Sequence, residues 1–170
     1  SSIEFFESLI QPAITGHVNV IDMFAIHATF PIIGEEKLTI TFRVANNAPT
    51  TIEFDVTGLT DVQPIENQRG TTYKLTIVSP HLTTSASLLI NQRFNQPIHQ
   101  TIQQIATEYL GLDQSKLSVD QTRGIDDSVI TNLTPLQAID KLRHKAIDLR
   151  YPSSSFVFFV DRRGAGFTTL

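Results

Sequence analysis

The chain has 170 residues, of which 41% are hydrophobic and 18% charged, with a formal net charge of −4 and no cysteine. That length and mixture specify one ordinary folded domain or two small ones and exclude a disordered chain. The mild acidity argues against nucleic acid as the main partner, and the lack of cysteine excludes disulfides, thiolate catalysis and cysteine-held zinc or iron–sulfur clusters.

The first half reads as strands. Ile3 to Ile10 is apolar with Glu4 and Glu7 interspersed, and Pro12 and Gly16 supply turn chemistry after it. His17 to Asp22 alternates, with Val18 and Val20 on one face. Phe30-Pro31-Ile32-Ile33-Gly34 is an oily corner, unusual because loops are normally solvated and polar. It leads into a strand in which Leu38, Ile40 and Phe42 face one way and Lys37, Thr39, Thr41 and Arg43 the other. A polar reversal with Asn46, Asn47 and Pro49 precedes Thr51 to Val56, whose Ile52, Phe54 and Val56 share a face. Thr71 to Ser79 follows, with Tyr73, Leu75 and Ile77 together. Short strands with one oily face expose edges if flat, so closure into a small barrel or sandwich is expected.

The period changes after Pro80. His81 to Leu89 suits a short helix and Asn91 to Gln96 a polar connection. Pro97 opens a helix carrying Ile98, Ile102, Ile105 and Tyr109, and Gly111 stands where its C-terminal cap belongs. Thr134-Pro135-Leu136-Gln137 has the form of a capping box at the head of a second helix, with Leu136, Ile139, Leu142, Ala146 and Leu149 as its buried stripe. Phe156 to Val160, a turn at Asp161 to Gly164, and Phe167 to Leu170 form a hairpin. The expected class is α+β: a small antiparallel β-barrel over residues 1–92, then an α+β domain over 93–170 with two amphipathic helices and a β-hairpin. Both ends read as structured sequence, the pattern of a piece of a longer chain.

Little in the chain points to chemistry. The five histidines, His17, His27, His81, His99 and His144, form no metal-binding spacing and read as surface or turn residues. The adjacent acids Glu35-Glu36 and Asp126-Asp127 share one environment each, so nothing separates their pKa values for acid–base work. No nucleophile elbow, phosphate loop or dinucleotide motif is present. No catalytic residue, cofactor or metal is assigned. No apolar run approaches the ~20 residues of a membrane span, and Ser1 to Ile10 lacks the basic start of a signal peptide. The aromatic group Phe156, Phe158, Phe159 and Phe167 is expected in a core, although Val157 and Phe159 fall on the second face of their strand and want cover from further chain or a partner.

An ordered series of motifs resembles the central hub proteins of contractile-tailed bacteriophage baseplates. The series runs through Glu7-Ser8, Thr15-Gly16, Val18 to Asp22, Pro31 to Leu38, Tyr73-Lys74-Leu75 and Ser79-Pro80. It continues through Asn132 to Leu136, Ala138-Ile139, Tyr151-Pro152-Ser153 and Phe156 to Phe159, closing with Gly164 and Phe167. The chain departs from the family at His81, where an acid often stands, and at Gly166, where a larger residue is usual.

The resemblance implies a non-enzymatic structural role: a homotrimer at the centre of the baseplate, between the tail tube protein and the spike protein, assembled in the host bacterial cytoplasm and resident in the virion. Each subunit of such a hub carries two similar barrels, the second here expected in a missing C-terminal part. On this reading the polar strand face of Glu35, Lys37, Thr39 and Thr41 lines the tube-facing ring. Ile32 and Ile33 cap the barrel or meet a neighbouring subunit, and Phe159 takes cover from a partner. The competing reading is a carbohydrate-binding or cell-wall-lytic tail module that uses the aromatic hairpin.

Overall fold

The computed structural model describes residues 2–43, 45, 48–66, 69–151 and 155–170. The expected reversal at Asn46-Asn47 and the Pro152-Ser153-Ser154 stretch lie outside them. The chain forms two compact units: Ser1–Phe6 with Ile14–Pro80, and Glu7–Ala13 with His81–Leu170. The division therefore falls at Pro80/His81, ahead of the 92/93 boundary read from the pattern, and the short segment 7–13 joins the second unit.

The first unit holds β1 (Ser2–Phe6), β2 (Thr15–Asp22), a helical turn α1 (Ile26–Thr29), β3 (Lys37–Phe42), β4 (Thr50–Pro64) and β5 (Thr71–Val78). The strands build one antiparallel sheet in the order β1-β2-β5-β4-β3, curled into a half-barrel. Its concave face buries the alternating set Val18, Ile40, Phe54, Val56, Tyr73, Leu75 and Ile77, as the period-two pattern requires. Curling replaces the closed barrel expected from sequence: β1 and β3 remain the two edges of the strand order. The first strand stops at Phe6 rather than Ile10, because the chain there leaves for the second unit. The fourth runs on to Pro64, beyond the Val56 expected, through register shifts after Val56 and Thr60 with Asp61 at a φ of 54°. Such bulges let a strand absorb residues that otherwise read as turn formers.

The second unit contains α2 (Pro80–Ser87), β6 (Ile90–Gln96), α3 (Ile98–Gln104), β7 (Leu117–Val119), β8 (Asp126–Leu133), α4 (Pro135–Arg143), β9 (Phe156–Asp161) and β10 (Gly164–Thr169). A π-helical turn, Ile105–Tyr109, prolongs α3 up to Gly111, whose φ of 66° fits the predicted cap. Strand β10 pairs antiparallel with β9 and parallel with β7, while β6 and β8 form a separate two-stranded sheet. One core gathers Ile90, Phe94, Ile102, Ile105, Ile130, Ile139, Leu142, Phe156, Phe158 and Phe167.

Three strands here were not expected. The Asn91–Gln96 connection is β6, and the linker between the helices contains β7 and β8. Helix α4 begins at the predicted capping box, with the Gln137 amide donating to Thr134 Oγ1 and the Thr134 amide to Gln137 Oε1. It ends at Arg143, so Leu149 is off the buried stripe and about half exposed. Val157 is buried, facing a groove of about 260 Å³ that Leu9, Ile10, Leu136 and Leu170 also line. Val157 is thus buried within the unit, while Phe159 on the same face is only half-buried.

Candidate interaction surface

The corner before β3 is held by one carboxylate. The Ile33 and Gly34 amides each donate to Glu36, at 2.9 Å to Oε1 and Oε2 respectively. The Ile33 amide is the main influence holding the Glu36 carboxyl below its ordinary range, burial opposes it, and neighbouring amides add to the lowering. Gly34 has a φ of 95°, a conformation costly for any residue with a Cβ. This ties the bend to the sheet, since the Val56 amide donates to the Glu36 carbonyl at 2.8 Å.

The two isoleucines of the corner then separate. Ile32 is half-buried against the concave core, whereas Ile33 is 72% exposed. Glu35, Lys37, Thr39 and Thr41 are all exposed. Across the ladder Lys37 faces Asp55, Thr39 faces Glu53, and Thr41 meets Thr51 with their hydroxyls 2.9 Å apart. The sheet's outer face at this edge is a polar row of mixed sign. Phe159, in the other unit, is half-buried on β9 opposite Gly166, and a Cβ added at Gly166 would lie 2.5 Å from its ring. The ring occupies the space that a side chain at 166 would need.

The more exposed apolar surface begins ahead of the corner, at residues not singled out from sequence, and runs into it at Phe30. Phe24 and Phe30 are 86% and 71% exposed, Met23 and Ile26 about half, and α1 buries no residue. Asp22 anchors this segment. Its side chain is buried and accepts from the Phe24 amide at 3.0 Å, the His27 amide at 3.2 Å and His27 Nδ1 at 3.0 Å. Burial pushes the Asp22 carboxyl up, but the His27 side chain and the amides of Phe24, His27 and Ile26 together hold it below its ordinary range. The legible signal is an aspartate just ahead of a short helical run, a place where its oxygens can satisfy free amides.

The histidines divide accordingly. His27 is Asp22's partner, and its ring lies 5.2 Å from Tyr73. His81 is buried, with Nε2 2.8 Å from the Pro12 carbonyl, which corrects its reading as a surface residue. Burial lowers its pKa despite that bond. Asp127 pairs with Arg93, and Glu36 caps the corner, so neither acid pair is simply solvated. Among the described residues no cluster of His, Asp and Glu has the makings of a metal site, and no helix is long and apolar enough to cross a membrane.

No family model and no curated protein matches the chain. Solved structures do. The chain aligns over 98% of its length with 49% of a 43 kDa tail protein of prophage MuSo2 from Shewanella oneidensis, at 15% identity and a TM-score of 0.51. It aligns over 97% with 44% of an Escherichia coli component of the type VI secretion system, at 12% identity and a TM-score of 0.61. That protein is described as structurally similar to the bacteriophage T4 tail proteins gp27 and gp5. A tail protein from Neisseria meningitidis aligns over 97% of this chain and 44% of its own, at 6% identity and a TM-score of 0.57. The likeness shows a shared fold, and the chain spans about half the length of each of these proteins.

Proposed function

We propose that this protein is a non-enzymatic structural component of a phage tail: the central hub of the baseplate, a homotrimer joining the tail tube to the spike. The observation that carries the reading is the shared fold, which extends over nearly the whole chain in each tail protein rather than over one sheet. The type VI component described as similar to gp27 and gp5 supports a place near the tube and spike. The exposed apolar run from Phe24 to Ile33 supports a protein that works against neighbours, since patches of this kind usually mark interaction sites. In this reading the protein assembles in the host bacterial cytoplasm and resides in the virion tail.

Burial argues against the glycan-binding alternative. Phe156, Phe158 and Phe167 lie in the core, and Phe156 stacks on Phe167 with centroids 4.5 Å apart, so the hairpin offers no aromatic platform. The test is the solution mass of the full-length protein by light scattering. A trimer is expected, and a monomer at all concentrations would count against the hub assignment. Clearing of a bacterial cell-wall suspension by the purified protein would overturn the non-enzymatic part.

A further inference from the structure

The segment between β2 and the corner reverses the usual relation between burial and polarity. Its apolar side chains, Phe24, Ile26 and Phe30, project outward, while the group beneath them is a buried carboxylate. No residue from 23 to 30 belongs to the apolar core of its unit or packs on it as a partly buried hydrophobic. Ala25 holds a left-handed φ of 54°, a strained choice for a residue with a Cβ. What organises the segment is Asp22, which gathers the amides of Phe24 and His27 and the His27 ring. Inside the turn, the Thr29 hydroxyl and amide donate to the Ala25 carbonyl and the Phe30 amide to that of Ile26.

We propose that the Asp22 carboxylate is a latch: ionised, it holds residues 23 to 30 with their apolar side chains displayed, and neutralised, it releases the segment while the sheet stays folded. Two features carry this. The donors to Asp22 come from one short segment, so losing the charge loosens that segment first. The strands beside Asp22 are secured by their own ladder, in which Asp22 is the last pair, opposite Thr71. The titratable groups facing the carboxylate are the His27 imidazole from α1 and the Tyr73 hydroxyl from β5. Because the Asp22 carboxyl is held below its ordinary range in the latched form, latching is favoured above that range and weakens as pH falls through it. The latch is a property of the chain alone and stands apart from the assembly reading.

The test is hydrogen exchange of the protein and of Asp22→Asn, followed by mass spectrometry. In the variant the amides of residues 24 to 27 should exchange about tenfold faster, the scale set by losing hydrogen bonds to a charged acceptor, while β5 is unchanged. Acidifying the unaltered protein should speed the same amides beyond intrinsic chemistry, and Asp22→Asn should show no such extra response. Unchanged exchange at 24 to 27 overturns the latch. So does equal acceleration in β5, or a variant that fails to fold, because Asp22 would then be holding the sheet.

Discussion

Phe5 and Phe42 stand on β1 and β3, at opposite ends of the strand order, yet their ring centroids are 6.2 Å apart. Five flat strands would separate the two edges by about 19 Å, so the sheet has curled until its outermost side chains meet over the core. Phe5 also stacks on the buried Phe54, at 5.2 Å and 10° between planes.

That contact makes Phe5 a clasp. Phe5→Ala should cost about 2 kcal/mol in urea unfolding, combining partial burial with loss of two aromatic contacts. Phe54→Ala, in the same core but fully buried, should cost about 3–5 kcal/mol. No measurable loss in Phe5→Ala would mean that the curl does not depend on the edge ring.

Gly166 and Phe159 should behave as a coupled pair. Gly166→Ala forces the Phe159 ring to move, because its Cβ would sit 2.5 Å from a ring carbon. The cost should be about 1–3 kcal/mol, and most of it should vanish in the presence of Phe159→Leu. A double-mutant cycle with no interaction energy would show that the ring does not fill that space.

Asp148 should give the second unit a specific acid sensitivity. It is fully buried and accepts from the Arg150 and Tyr151 amides, Arg150 Nη2 and Thr169 Oγ1. Burial pushes its carboxyl up, but these bonds hold it at about 2 against an ordinary 3.8. A depressed carboxylate stabilises the folded state above its unfolded pKa and loses that contribution as pH falls through the folded one. The Tm gap between the protein and Asp148→Asn should therefore be constant above pH 3.8 and shrink toward about 2. A gap independent of pH would contradict this.

These sites show what was legible in the sequence. The concave strands declared themselves because Leu38, Ile40 and Phe42, or Tyr73, Leu75 and Ile77, alternate without interruption. The start of α4 did so because a capping box is local chemistry. Strand β6 did not, because Gln92 lies between Ile90 and Phe94 and accepts from the Tyr109 hydroxyl instead of packing. In β8 the buried face carries Ser128, a partner of Lys145, while Val129 is exposed, which inverts the expected pattern. A polar group satisfied by a residue distant in sequence cannot be seen in periodicity. Asp22 differs: its partners Phe24 and His27 are local, and what periodicity did not show is the burial of its carboxylate beneath the apolar segment.

On the proposed hub reading, the corner should separate folding from assembly at adjacent residues, since Ile32 is half-buried and Ile33 exposed. Ile33→Asp should cost folding no more than about 1 kcal/mol, because the side chain is 72% exposed and its charge meets the Glu36 carboxylate only at the surface. It should weaken trimer formation, measured by sedimentation. Ile32→Asp, half-buried on the core, should destabilise folding itself. Unimpaired assembly in Ile33→Asp would remove the corner from the interface.

The proposed hub role is tested most sharply by electron cryomicroscopy of tail particles assembled with this chain. It predicts three copies in a closed ring where the tail tube meets the spike, with residues 24 to 33 against a neighbouring chain. Intact tails with that position filled by other proteins, and this chain absent, would contradict it.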